Sequence, residues 1–380
     1  YDFLNLNTCR FLWKQVKFPT ATDASNTTAQ VLKQGEVQGS DVAAHSAGVL
    51  DIKTTILPDA DALFLTAIDR YGHELWRWTF PVNKLNQANE VLSPLSNKVT
   101  STETENELTV KAKNHTFIFS KKDGQLKGVS VNNRKISFAN GPRFIGARRA
   151  DRSLDQFYNH DDEKAKEKDR TYSEFPDAAV FTKLDVKEDG GNLIVTADYK
   201  LGNLDKVQWT INPNGEAVLD YTYNFSGVVD LMGICFDYPE DQVISKRWLG
   251  AGPYRVWQNR IHGTQYDVWE NDYNDPIPGE TFTYPEFKGY FGSVSWMNIR
   301  TKEGTISLTN ETPDAYIGVY QPRDGRDRLL YTLPESGISV LNVIPPVRNK
   351  VNSTDLCGPS SQPKWVNGPQ SGRIIFRFME

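Results

Sequence analysis

The chain has 380 residues, beyond the size at which a single hydrophobic core keeps growing, so one small and one large domain are expected. Its 43 basic and 48 acidic residues leave a net charge of -5 at pH 7, which gives no long-range attraction to phosphate backbones or anionic headgroups. No stretch approaches the roughly 18 consecutive apolar residues of a spanning helix, so the expectation is no nucleic acid and no membrane as partner.

From the start, short alternating runs separated by turn signals predict strands at Cys9 to Phe18, Gln30 to Glu36, Gly48 to Ile52, Ala62 to Asp69 and Glu74 to Phe80. The last two are nearly strict in alternation, and Arg70, Tyr71, Gly72 and His73 join them as a hairpin. Five such runs in residues 1–82 suit an immunoglobulin-like β-sandwich. Residues 83–105, rich in Asn, Ser, Thr and Glu, read as a linker.

Residues 106–380 continue the period of two. Strands are predicted at Glu107 to Ala112, Thr116 to Ser120 and Leu126 to Val131, with Asp123 and Gly124 at a turn. Asn192 to Tyr199, Lys206 to Ile211 and Ala217 to Phe225 follow, the last two linked by the turn Asn212, Pro213, Asn214, Gly215. Thr305 to Leu308, Ile317 to Tyr320, Gly337 to Val343 and Arg373 to Met379 complete a large antiparallel sandwich. Two stretches break the pattern: the charge-dense Asp151 to Arg170, read as a solvated segment, and the long irregular Gln258 to Gly292.

Chemistry-bearing motifs are few. Cys9, Cys235 and Cys357 lie too far apart to suggest a disulfide framework. The five histidines are dispersed with no ligand spacing, so no cofactor is expected; His160, Asp161 and Asp162 are the one compact candidate for a divalent cation. No nucleophile elbow, phosphate loop or dinucleotide fingerprint occurs. Glycoside cleavage needs two carboxylates across the scissile bond. Glu270, Asp272, Asp275, Glu280 and Glu286 share one segment, but surface acids are the simpler reading.

Aromatic residues are the stronger signal. Trp248, Tyr254, Trp257, Tyr266, Trp269, Tyr273, Tyr284, Tyr290 and Trp296 fall within fifty residues, among Arg255, Asn259, Arg260 and His262. Rings that stack on sugar faces, with polar groups orienting hydroxyls, make a saccharide surface. An aromatic interface between domains fits the same residues.

This segment also carries a resemblance. Trp248, Leu249, Gly250, Ala251, Gly252, Pro253 and Tyr254, followed by Asn259 and Arg260, resemble the signature opening the last domain of family 2 β-galactosidases of bacterial glycoside hydrolases. Tyr284, Pro285, Glu286, Gly289 and Trp296 are similar to a further stretch of that family, and Cys357, Gly358 and Pro359 to its turn before the final strand. Arg149, Ala150 and Asp151 resemble part of another family segment. Leu356 and Cys357 stand where the family's well-known enzyme places a sugar-stacking Trp, a departure that weighs against galactoside specificity.

The resemblance implies an all-β chain: an immunoglobulin-like sandwich, then a galactose-mutarotase-like antiparallel supersandwich. It also implies that the catalytic barrel lies upstream in the same polypeptide and that this part is non-catalytic, helping to shape the barrel's pocket. Carbohydrate and the barrel are then the expected partners, with a homo-oligomer also in view. Location is left open, with a bacterial periplasmic or secreted setting favoured over the cytoplasm. The carbohydrate-facing candidates are Arg149, Asp151, Tyr254, Trp257, Arg260, His262, Trp269, Tyr284 and Glu286. A carbohydrate-binding module and a free-standing mutarotase- or lyase-like enzyme, using residues such as His262, Asp267 or Glu286, are the alternatives.

Overall fold

The computed structural model describes residues 3–23, 28–83, 98–149, 172–272, 289–320, 334, 336–346 and 358–380. In chain order its strands are β1 (Arg10–Lys17), β2 (Gln30–Gln38), β3 (Ala62–Ile68), β4 (Glu74–Pro81), β5 (Thr100–Glu103), β6 (Glu107–Ala112), β7 (His115–Ser120) and β8 (Leu126–Val131). There follow β9 (Arg134–Ile136), β10 (Ala139–Arg149), β11 (Tyr172–Glu174), β12 (Val180–Asp189), β13 (Asn192–Lys200), β14 (Leu204–Ile211), β15 (Ala217–Val229) and β16 (Leu231–Asp237). The last are β17 (Val243–Gly252), β18 (Gln265–Asp272), β19 (Trp296–Thr301), β20 (Gly304–Asn310), β21 (Tyr316–Val319), β22 (Ile338–Val343) and β23 (Lys364–Met379). No α-helix occurs among the described residues.

The all-β expectation holds. Two large antiparallel sheets form the main body, one of ten strands running from β21 to β5 and one of nine in the order β12-β13-β14-β15-β23-β20-β19-β17-β18. Period-two patterning places their core. In β6 the sequence ELTVKA turns Leu108, Val110 and Ala112 inward, and β7 does the same with Phe117 and Phe119. These meet Trp209 of β14 and Phe376 and Phe378 of β23. Phe138 and Phe236 stack at 4.6 Å between ring centroids, and Phe376 closes on Phe236 at 5.6 Å. Each such ring buried contributes roughly 1.5–3 kcal/mol.

The first 83 residues differ from expectation. Four strands form one sheet in the order β2-β1-β3-β4, and no second sheet faces it among the described residues. The predicted strand Gly48 to Ile52 has no ladder partner. The chain just beyond it is fixed instead by the buried Gln15, whose amide donates to Thr54 Oγ1 and the Thr55 carbonyl and accepts from the Leu57 N–H. Val16, Phe18 and Phe64 lie against Leu249 and Trp296 of the nine-stranded sheet, so that sheet supplies the covering layer. The expected linker also ends early, because β5 pairs with β6 from Thr100 onward. Residues 84–97 of that linker, and the charge-dense Asp151 to Arg170, lie outside the described residues. The stretch expected to be irregular from Gln258 contains β18, which runs along β17 from Gln265 opposite Gly252 to Asp272 opposite Ser245.

Candidate functional site

The Trp248 to Tyr254 segment forms the end of β17 and the turn after it. Trp248 is fully buried; its indole N–H donates to the Ala251 carbonyl at 3.0 Å and its ring meets Phe291 edge-on at 4.8 Å. Both glycines that follow are required by contact. A Cβ at Gly250 would stand 3.0 Å from the Gly292 carbonyl, and one at Gly252 would stand 2.4 Å from the Trp269 ring. Beyond the turn, Val256 exchanges two backbone hydrogen bonds with Tyr290, at 2.7 and 2.8 Å. Trp257 packs edge-on against Tyr290 at 5.8 Å, in a cluster with Ile145, Leu231 and Leu341 of the ten-stranded sheet. Gln258 ties this turn to the segment before β23, its amide donating to the Ser360 and Gln362 carbonyls.

Rigid scaffolding thus fixes residues 254–262, but the sequence candidates divide. Tyr254, Arg260 and His262 lie on one short segment, residues 254–262, and are exposed. Trp257 is a correction: fully buried and lined by aliphatic side chains, it is core and offers no face to a sugar. Trp269 is half-buried, its indole N–H shared between the carbonyls of Gly250 at 3.2 Å and Gln265 at 3.1 Å. With Gly252 beneath it and Arg77 of the first sheet 6.0 Å from its centroid, its ring is held as packing. Arg149 ends β10, paired through its backbone with Tyr172. The Arg149 side chain, Asp151, Tyr284 and Glu286 lie outside the described residues, as do Leu356 and Cys357.

The charges are mostly committed. Asp267 lies 2.9 Å from Arg77 Nη2, an ion pair joining the first sheet to β18, and burial raises its pKa although the Val268 N–H and Arg77 oppose the shift. It therefore anchors the first sheet to β18 rather than serving as a solvent-facing acid. Among the described residues no group of three His, Cys, Asp or Glu is placed to hold a metal, and His160, Asp161 and Asp162 fall outside them.

One surface feature escaped the sequence reading. The outer face of the nine-stranded sheet, over β14, β15 and β23, holds an open cavity of about 400 Å³ lined by Gln208, Asp220, Thr222, Glu311, Ser371 and Arg373. The alternation of β14 and β15 was readable, but which face remains open depends on how far the first sheet reaches across. That reach has no local signal.

The profile of the family described as beta galactosidase small chain matches residues 111–344. Among solved structures, the chain is similar to galactose 1-epimerase from Lactobacillus acidophilus NCFM at 11% identity, covering 75% of this chain and 99% of that one with a TM-score of 0.42. A GalM/aldose epimerase homologue from C. elegans matches at 8% identity, over 74% of this chain and 99% of that one, with a TM-score of 0.33. A putative mutarotase from Salmonella typhimurium matches at 8% identity, over 74% and 94%, with a TM-score of 0.32. No curated protein matches.

Proposed function

The chain belongs to the β-galactosidase small chain family, and from that premise we propose that it is a non-catalytic part of a family 2 glycoside hydrolase, packing on an upstream catalytic barrel and helping to shape its pocket. The observation that carries this reading is the turn 254–262. It is braced from beneath by Trp248, Trp257 and Gln258, and it presents Tyr254, Arg260, Ile261 and His262 outward. Exposed aromatic and aliphatic side chains together with an Arg on one short segment are residue types that interface centres favour. The neighbouring carboxylate of Asp267 is occupied by Arg77, which leaves it poorly placed for acid or base work.

The test is hydrolysis of a panel of nitrophenyl glycosides, the β-galactoside included, by this chain alone and by the polypeptide extended upstream through the barrel. Turnover only by the longer polypeptide, lowered in Tyr254→Ala or Arg260→Ala, is the expected result, and the preferred sugar names the specificity. Turnover by the chain alone would refute the reading and place an acid and base within the sandwich.

A further inference from the structure

The exposed outer face of β15 and β23 is built unlike the rest of the nine-stranded sheet. These two strands pair for thirteen residues, from Ala217 opposite Phe376 to Val229 opposite Lys364. Side chains alternate, so one set faces the core through Tyr221, Tyr223 and Phe225 while the other faces outward. In register, the outward pairs are Asp220 with Arg373, Thr222 with Ser371, Asn224 with Pro369, Ser226 with Asn367, and Val228 with Trp365.

Three features of this row point to a ligand. Its charges are internally paired at the cavity end, Arg373 lying 3.3 Å from Asp220 and 3.2 Å from Glu311. The middle of the row is hydroxyl and amide. The far end is Trp365, whose side chain is 72% exposed, a large flat ring left in water at the end of a polar ladder. From Arg373 to Trp365 is eight residues, roughly 27 Å at about 3.3–3.4 Å per residue. Lys206 is the one further charge lining the cavity, and with Asp220 and Glu311 on the same lining the face offers little to a phosphate or an acidic chain. Beside the cavity β14 pairs β15 as far as Tyr223, but β20 pairs β23 only from Ile374 to Met379, so a peptide strand added along Lys364–Arg373 is the competing occupant, which an absence of retardation by neutral polysaccharides would favour.

We propose that this face binds an extended, neutral oligosaccharide or polysaccharide chain, stacked on Trp365 at one end and hydrogen-bonded in the Gln208–Thr222–Ser371 cavity at the other. The length suits several linked rings rather than a single one. Hydroxyls along the chain meet hydroxyl and amide side chains, and the apolar ring face of a sugar meets the indole. The surface lies on strands distinct from the 254–262 turn, so it would hold substrate chains near the enzyme without taking part in the barrel contact. It stands on this face's own chemistry and does not require that contact.

The experiment is affinity electrophoresis of the whole chain in gels containing soluble neutral polysaccharides: galactan, galactomannan or xyloglucan. Calorimetry with oligosaccharides of the retained type and light scattering for oligomeric state accompany it. Expected are retardation by at least one of them, an affinity at least tenfold weaker in Trp365→Ala, a weaker loss in Gln208→Ala, and no change in Tyr254→Ala. The melting temperature of Trp365→Ala should equal that of the parent, since the ring covers little. Absence of retardation by all three, or equal affinity in Trp365→Ala, overturns the proposal. So does a shift from dimer to monomer in Trp365→Ala, which would assign the ring to a contact between copies. Failure here would leave the glycoside hydrolysis result unchanged, and failure there would leave the retardation unchanged.

Discussion

Replacing Arg77 with alanine tests whether the first sheet and the nine-stranded sheet are locked together by charge as well as by packing. Arg77 Nη2 lies 2.9 Å from Asp267 Oδ2, with the two side chains 20% and 15% exposed. Its guanidinium also sits 4.6 Å from the Phe64 centroid. Removing one member of a fully buried pair costs ~3–5 kcal/mol, because the other charge stays behind. Partial exposure reduces this, and loss of the cation–π contact adds about 0.5–1 kcal/mol. About 2–3 kcal/mol is therefore expected at neutral pH. The pH dependence carries a sign. Burial already raises the Asp267 pKa above 3.8, and Arg77 opposes the shift, so alanine raises it further. A carboxyl whose folded pKa exceeds its unfolded value favours the fold while protonated, and that stability is lost as pH rises through the folded value. The cost of Arg77→Ala should thus grow from acid toward neutral pH and then level off. Urea unfolding followed by tryptophan fluorescence across that range, with Asp267→Asn as the background in which Arg77 matters little, measures it. A cost under about 0.5 kcal/mol at neutral pH, or one that grows toward acid, would refute the reasoning.

Burial lowers the pKa of His115, whose Nε2 donates to the Phe378 carbonyl at 2.8 Å. The unfolded chain therefore binds the proton more readily below pH 6.5, and stability should fall as pH drops below that value. His115→Gln should flatten this slope in urea titrations, and an unchanged slope would remove the histidine from the account. Trp257→Ala should cost ~3–5 kcal/mol as a core truncation, whereas Tyr254→Ala should stay within about 0.5 kcal/mol of the parent in thermal unfolding. Equal stability of the two variants would return Trp257 to the surface.

How much of this was readable depended on whether one face of a strand is wet. In β6 and most of β7 the alternation is clear because the outer face is solvated in part, β8 breaks it at Gly128 and Val129, and the predicted bounds of all three fall within a residue of those observed. In β16, LMGICFD is buried at six positions in succession, and in β17 both faces are covered, so no period of two appears and neither strand was predicted. The start of β23 was missed for the opposite reason. WVNGPQSG carries turn residues, yet it pairs throughout, with Gly368 at a φ of 93° inside the strand. The aromatic cluster misled in a similar way. Trp248, Trp257, Tyr290 and Trp296 are at most 1% exposed while Tyr254 is 44% exposed, although all five share one composition signal. Ring type sets the area available to bury, and only the fold decides which face meets water.

The nine-stranded sheet shows why one continuous surface serves two purposes. Toward β19, β17 and β18 its outer residues are Trp296, Leu249, Tyr266 and Val268, apolar groups that would be costly in water. They are covered by Val16, Phe18 and Phe64, and the seam is closed by hydrogen bonds from Trp296 Nε1 to the Pro19 carbonyl and from Asn298 to the Ala21 carbonyl. Toward β14, β15 and β23 the outer residues become Gln208, Thr222, Ser371 and Asn367, which need no cover. The first sheet therefore covers the apolar half, while the polar half carries no comparable cost when left in solvent. Trp365 breaks that logic, since Thr or Ser would continue the ladder without exposing an indole. A large ring 72% exposed beside a row of hydroxyls and amides is the feature that the proposed saccharide ligand accounts for.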